Sequence, residues 1–165
     1  MRTTIRVSAA LATILSLTAA TARAQSASIT ATATVYQAMT VTGARTLDFQ
    51  TVFPGVAKTV AVTAATSGEF TLTGQSSANV NLSFTLPTNL VNGANNLPIG
   101  TWTGCTNTSN STTGCTAFTP SASATASAFS GTGNLWVWVG GTVTPAANQA
   151  AGTYTGTVQL TAAYF

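Results

Sequence analysis

The chain has 165 residues, 45% of them hydrophobic and only 4% charged, with a formal charge of +3, two cysteines and no histidine, a length that fits one domain. Three of the five cations, Arg2, Arg6 and Arg23, lie in the first 23 residues; beyond them Arg45 and Lys58 balance Asp48 and Glu69. That near-neutral body excludes a basic field for nucleic acid, imidazole-based triads and metal sites, and charge-rich disorder.

Residues 1–24 read as an export signal. Arg2 and Arg6 precede an apolar stretch from Val7 to Ala20, and Ala22-Arg23-Ala24 fits the small-x-small cleavage rule, leaving a mature chain that starts at Gln25. The stretch is short for a membrane anchor, and no transmembrane span is expected after cleavage. In an oxidising compartment Cys105 and Cys115 are expected to pair across a polar loop as a local staple.

The mature sequence alternates apolar residues with Thr, Ser and Asn, the period of strands. Ala27, Ile29, Ala31, Ala33 and Val35 share one face, with Ser28, Thr30, Thr32, Thr34 and Tyr36 on the other. A short strand is predicted at Met39–Thr42 and another opening at Leu47-Asp48-Phe49, before a turn at Phe53-Pro54-Gly55. Lys58–Thr63, Glu69–Thr73 and Val80–Leu86 alternate again, and Pro87 ends the last because it lacks an amide donor. Residues 88–133 read as surface loops with one or two short strands, with turn signals at Asn92-Gly93 and Pro98-Ile99-Gly100. Leu135–Val139 is a strand with Leu135, Val137 and Val139 inward, and Gly140-Gly141 allows a bend or bulge. After a loop over 145–152, Thr153–Phe165 is predicted as one long strand with Tyr154, Val158, Leu160, Ala162 and Tyr164 on one face. Seven or more short strands in a chain of this size suggest an all-β, immunoglobulin-like sandwich over 38–165, preceded by a separate strand over 25–37.

A chain with four charges poses an edge problem. Soluble sheets blunt their edges with charge, and here an alternating N-terminal strand and an unblunted sandwich are complementary objects that strand addition between subunits would satisfy. The competing reading makes 27–35 the first strand of its own domain.

Two stretches carry a resemblance. Arg45-Thr46-Leu47-Asp48-Phe49 resembles the leucine-x-phenylalanine strand of bacterial fimbrial subunits of the spore-coat-protein-U and archaic chaperone–usher type. The segment Gly140 to Val158, with its Gly-Gly-Thr start and its Asn148-Gln149 and Ala151-Gly152-Thr153-Tyr154-Thr155-Gly156-Thr157 run, is similar to the ending of an exported bacterial family, the domain of unknown function numbered forty-four-oh-two. Gly152, fourteenth from the end, and the penultimate Tyr164 stand where pilins carry a glycine and a tyrosine. Unlike many archaic pilins, the chain has no cysteine near its mature N-terminus.

The resemblance implies a cell-surface fimbrial subunit whose incomplete sandwich is filled first by a periplasmic chaperone at an outer-membrane usher and then by the next subunit, forming a homopolymer. Ala27, Ile29, Ala31, Ala33 and Val35 would be donor side chains. Gly152, Tyr154, Val158, Leu160, Ala162 and Tyr164 would lie on the strand facing the chaperone or the donor. No cofactor is expected. Two other readings stay open: a carbohydrate-binding or adhesive module using Trp102, Trp136 and Trp138, and a small outer-membrane β-barrel ending at Phe165. Asp48 and Glu69 are the only acids, so a carboxylate-based enzyme would need both; Asp48 reads instead as an ion-pair partner of Arg45 or a surface residue.

Overall fold

The computed structural model describes residues 23–165, so most of the predicted export signal lies outside the described residues. The chain divides after Thr34, and the unit Val35–Phe165 carries every strand among the described residues. The fold is all-β, with two antiparallel sheets, one of them curled into a half-barrel, and no helix among the described residues.

The larger sheet is built on two long strands. β9 (Asn134–Val143) pairs along one edge with β3 (Gly68–Thr73) and then β2 (Lys58–Val60), and along the other with β6 (Asn95–Asn107). The outer edge of β6 takes β5 (Asn89–Asn92) and β7 (Thr116–Phe118), while β1 (Thr40–Arg45) closes the far side on β3. In the smaller sheet β4 (Asn79–Thr85) lies between β10 (Gln159–Tyr164) and β8 (Thr125–Ala128).

Alternation places the core as the period demands. Val80, Leu82 and Phe84 of β4 meet Leu135, Val137 and Val139 of β9, with Leu72, Phe129 and Leu160 completing one buried cluster. Phe49, Val60, Leu97, Ile99 and Val143 form a second, and Trp102 packs against both. The inward faces of β4 and β9 are those predicted from sequence.

Several elements differ from expectation. Residues 88–133 hold four strands, including the longest in the molecule. β6 runs straight through Pro98-Ile99-Gly100, which reads as a turn; its irregularity sits between Gly100 and Thr103, beside the left-handed Thr101. Proline is tolerated at Pro98 because the residue pairs at the end of the β5 ladder. Asn92-Gly93 does turn the chain, joining β5 to β6 with only Gly93 and Ala94 between Asn92 and its partner Asn95. β9 continues through Gly140-Gly141 rather than breaking there.

Lys58–Thr63 shortens to β2. Leu47-Asp48-Phe49 is no strand: the β1 register already breaks between Gly43 and Arg45, and only the Asp48 amide finds a backbone partner, the Thr66 carbonyl at 2.9 Å. Thr153–Phe165 is a strand only from Gln159, because residues before it have no neighbour beyond one isolated bridge, Val91 with Thr155. Residues 23–39 likewise carry no strand; an alternating segment without a ladder partner has nothing to define it as one.

Cys105 and Cys115 form the expected disulfide, their Cα atoms 5.8 Å apart. Within this loop the Asn107 side-chain amide donates to the carbonyls of Ser111 (2.7 Å) and Thr113 (3.2 Å), so it serves as part of the loop's own scaffold.

Leu82→Ala, at a fully buried site, should lower the unfolding free energy by about 3 kcal/mol. A urea transition should show this as a lower midpoint at unchanged m-value. Replacing both cysteines by serine should cost about 3 kcal/mol, the entropy of so short a closed loop, by the same measurement.

Candidate functional site

The unfinished strands surround one feature, an open groove of about 980 Å³. One wall is the chain from Gly43 to Val52; the other is the run from Gln149 to Val158. Its floor is apolar, with Phe70 and Val139 from the larger sheet and Leu90, Leu97 and Ile99 from the β5–β6 hairpin. Both hydrophobic clusters therefore reach this groove: Val139, Leu97 and Ile99 are buried beneath it, and Phe70 and Leu90 are half-buried.

The walls hold unspent backbone groups. Along 151–158, Thr155 alone exchanges backbone hydrogen bonds with another segment, donating to and accepting from Val91 at 3.0 and 2.8 Å. On the opposite wall β1 has β3 on one edge and nothing on the other. Leu47 and Phe49 turn inward to the second cluster while Asp48 points out, so the leucine-x-phenylalanine spacing works as a wall that buries every second side chain rather than as a paired strand.

The Gln149–Tyr154 loop is held by its own side chains. The Gln149 amide donates to the Asn96 carbonyl (3.1 Å) and to the Tyr154 hydroxyl (2.7 Å), and its oxygen accepts from the Ala146 amide (3.3 Å). The Tyr154 hydroxyl in turn donates to the Ala150 carbonyl at 2.8 Å. Gly152 lies between them at φ 149°, a backbone conformation that residues with a Cβ rarely adopt, and the end of the Asn92 side chain fills the space beside it. Sequence reasoning missed Gln149 as an organising residue, although the Asn-Gln ending that holds it was legible as a motif.

The residues singled out from sequence for the C-terminal strand divide into two sets. Gly152, Tyr154 and Val158 line the groove. Leu160, Ala162 and Tyr164 lie on β10, where they pack against the first cluster and leave the wall. Ala27, Ile29, Ala31 and Ala33 belong to the N-terminal unit and are exposed, Ile29 at 96%; Val35, at the start of the strand-bearing unit, is 91% exposed. Trp138 is buried, and Trp102 and Trp136 are half-buried.

Electrostatics at the groove rim rest on one pair. Arg45 meets Glu69 at 3.0 Å, not Asp48, and also donates to the Ser67 carbonyl (2.7 Å) and hydroxyl (3.0 Å). Asp48 is exposed and its carboxylate accepts the Gln50 amide at 2.7 Å, which fits the left-handed Gln50 beside it. Among the described residues no cluster of potential metal ligands occurs.

Residues 2–164 match the family described as Domain of unknown function (DUF4402), and the chain belongs to that family. No curated protein and no solved structure matches the chain.

The Glu69 side chain is 9% exposed and that of Arg45 38%. Arg45→Met should leave the carboxylate short of its partner and cost about 2 kcal/mol, below the figure for fully buried pairs because water reaches the guanidinium. Adding Glu69→Met should recover most of that loss in a urea double-mutant cycle.

Proposed function

We propose that this protein is an exported structural subunit of a cell-surface fibre that assembles by strand addition, its groove receiving an extended segment from a neighbouring subunit. One observation carries the reading: an apolar groove whose two walls keep unpaired backbone donors and acceptors. Such a site matches a β-strand, which supplies ladder bonds to both walls and alternate side chains to the floor. It is a poor match for a small polar ligand, which would leave the apolar floor uncovered.

The same chain supplies a suitable strand. Ala27, Ile29, Ala31, Ala33 and Val35 alternate with Ser28, Thr30, Thr32 and Thr34 and carry no charge. Nine extended residues span about 30 Å. The two-sheet core favours an incomplete immunoglobulin-like sandwich over a membrane barrel, because Val80, Leu82, Leu135 and Val137 are turned inward and buried, whereas a barrel presents its apolar band to lipid. On this reading the export signal delivers the chain to the periplasm, where a chaperone strand covers the groove until an usher exchanges it for the next subunit. No catalytic role is assigned.

The full chain, exported from a bacterial host and purified, should associate into multimers resolved by light scattering. Ile29→Asp with Val35→Asp should abolish association and leave the thermal transition unchanged, since both side chains are exposed. A synthetic peptide of residues 25–36 should then bind the doubly substituted chain and protect residues 149–158 from hydrogen exchange. Undiminished association of the Asp variant, or no protection by the peptide, would sink the reading. A requirement for detergent would favour the barrel.

A further inference from the structure

The chain that follows the donor-like segment is anchored to the end of β10. Tyr164 accepts the Gln75 amide through its hydroxyl at 2.7 Å and donates the same hydroxyl to the Gln37 carbonyl at 2.9 Å. The Gln37 amide donates to the Gln75 side-chain oxygen at 3.2 Å. Both backbone groups of Gln37 are thereby engaged. The Tyr36 ring stands edge-on to Tyr164, 5.3 Å between centroids and 89° between planes, and Tyr164 also packs on Phe129. At Gly74 the tyrosine hydroxyl occupies the space a Cβ would need, so the anchor depends on a glycine beneath it. Met39 packs against the first cluster.

This anchoring bears on where a groove strand can come from. β1 starts at Thr40 and its end forms the groove wall. For residues 27–35 to fill the groove of their own chain they must lie beside β1 and run opposite to it, a hairpin with its reversal over 36–39. Tight reversals rely on Gly, Asn, Asp or Pro, and Tyr36-Gln37-Ala38-Met39 contains none. The groups a turn would have to redirect are tied to Tyr164 and Gln75.

Building on strand addition as the function, we infer that the Tyr164–Gln37–Gln75 anchor bars self-complementation and commits the N-terminal segment to the groove of a second copy. The anchor gives directionality: a subunit with an empty groove cannot silence itself, and its segment stays available for export of the next bond.

The test compares three full chains: wild type, Gln37→Asn/Ala38→Gly, and that pair combined with Tyr164→Phe. The Asn-Gly pair supplies a turn, and Tyr164→Phe removes both hydroxyl bonds while keeping the ring. With the anchor intact, the first variant should associate like wild type, its segment cleaved by protease in the monomer fraction. The triple variant should become monomeric with residues 27–35 protected. A tethered strand at about millimolar effective concentration outcompetes a neighbour at ten micromolar about 100-fold, so association should fall by about that factor.

If the triple variant fails to fold, Gln75→Ala in the Asn-Gly background removes the Gln37 amide's partner and should shift the same balance. Association of the released variants at the wild-type level overturns the anchor and leaves strand addition standing. So does a monomer already formed by the Asn-Gly pair alone, or a protected segment in wild-type monomer. Failure of wild type to associate, together with failure of the 25–36 peptide to bind, removes strand addition itself and this inference with it.

Discussion

The molecule depends on the meeting of two strand faces. Val80, Leu82 and Phe84 from β4 stand against Leu135, Val137 and Val139 from β9, and each of the six is almost wholly removed from water. Burying a side chain of this size contributes about 2 kcal/mol, so this contact dominates a chain with almost no charge to spend. Everything else is arranged around it. β9 is long enough to carry β3 and β2 along one edge and β6 along the other. β10 and β8 each pair in a ladder only with β4.

The same arrangement explains why the cover is incomplete. The smaller sheet has three strands and the larger one seven, so the second cluster around Leu97, Ile99 and Phe49 is covered by Leu47, Val52 and Tyr154 from the two groove walls instead of by paired strands, with Phe70 and Leu90 left half-buried. Backbone groups in 151–158 and along the free edge of β1 then face the gap. Buried unpaired amides are expensive, which is why this region stays open to water in the single chain. The Gln149–Tyr154 bonds hold the wall in position without spending the backbone groups that face the groove.

Local sequence chemistry made the inward faces of β4 and β9, the disulfide and the Asn92-Gly93 turn readable. It failed where partner availability decides. Leu47-Asp48-Phe49 and Thr153–Thr157 alternate as well as any strand, yet neither has a ladder. β6 ran the other way: Pro98, Gly100 and Gly104 look like punctuation, but pairing with β5 at Pro98, with β9 at Gly100 and with β9 and β7 at Gly104 overrides the local signal. The Arg45 partner was misplaced for a related reason. Asp48 is close in sequence, whereas Glu69 is opposite in register, and antiparallel pairing brings the second one near. Of the candidate site, Gly152, Tyr154 and Val158 were legible; the groove was not, since a gap between two distant segments leaves no mark on either one.

Under strand addition, the composition of the donor segment sets how accurately it can seat. Ladder bonds are indifferent to side chains, and alanine loses no side-chain entropy on burial, so the three alanines contribute fit rather than choice. Register then falls on Ile29 and Val35, six residues and about 20 Å apart. A slip of one residue would turn both outward and place Thr30 and Thr34 against the floor. A slip of two would press Ile29 into a position shaped for alanine, where overpacking costs about 1–3 kcal/mol. Two branched side chains at opposite ends of a run of alanines are therefore enough to define one register, and small residues between them let the strand enter a narrow groove without rearranging its walls.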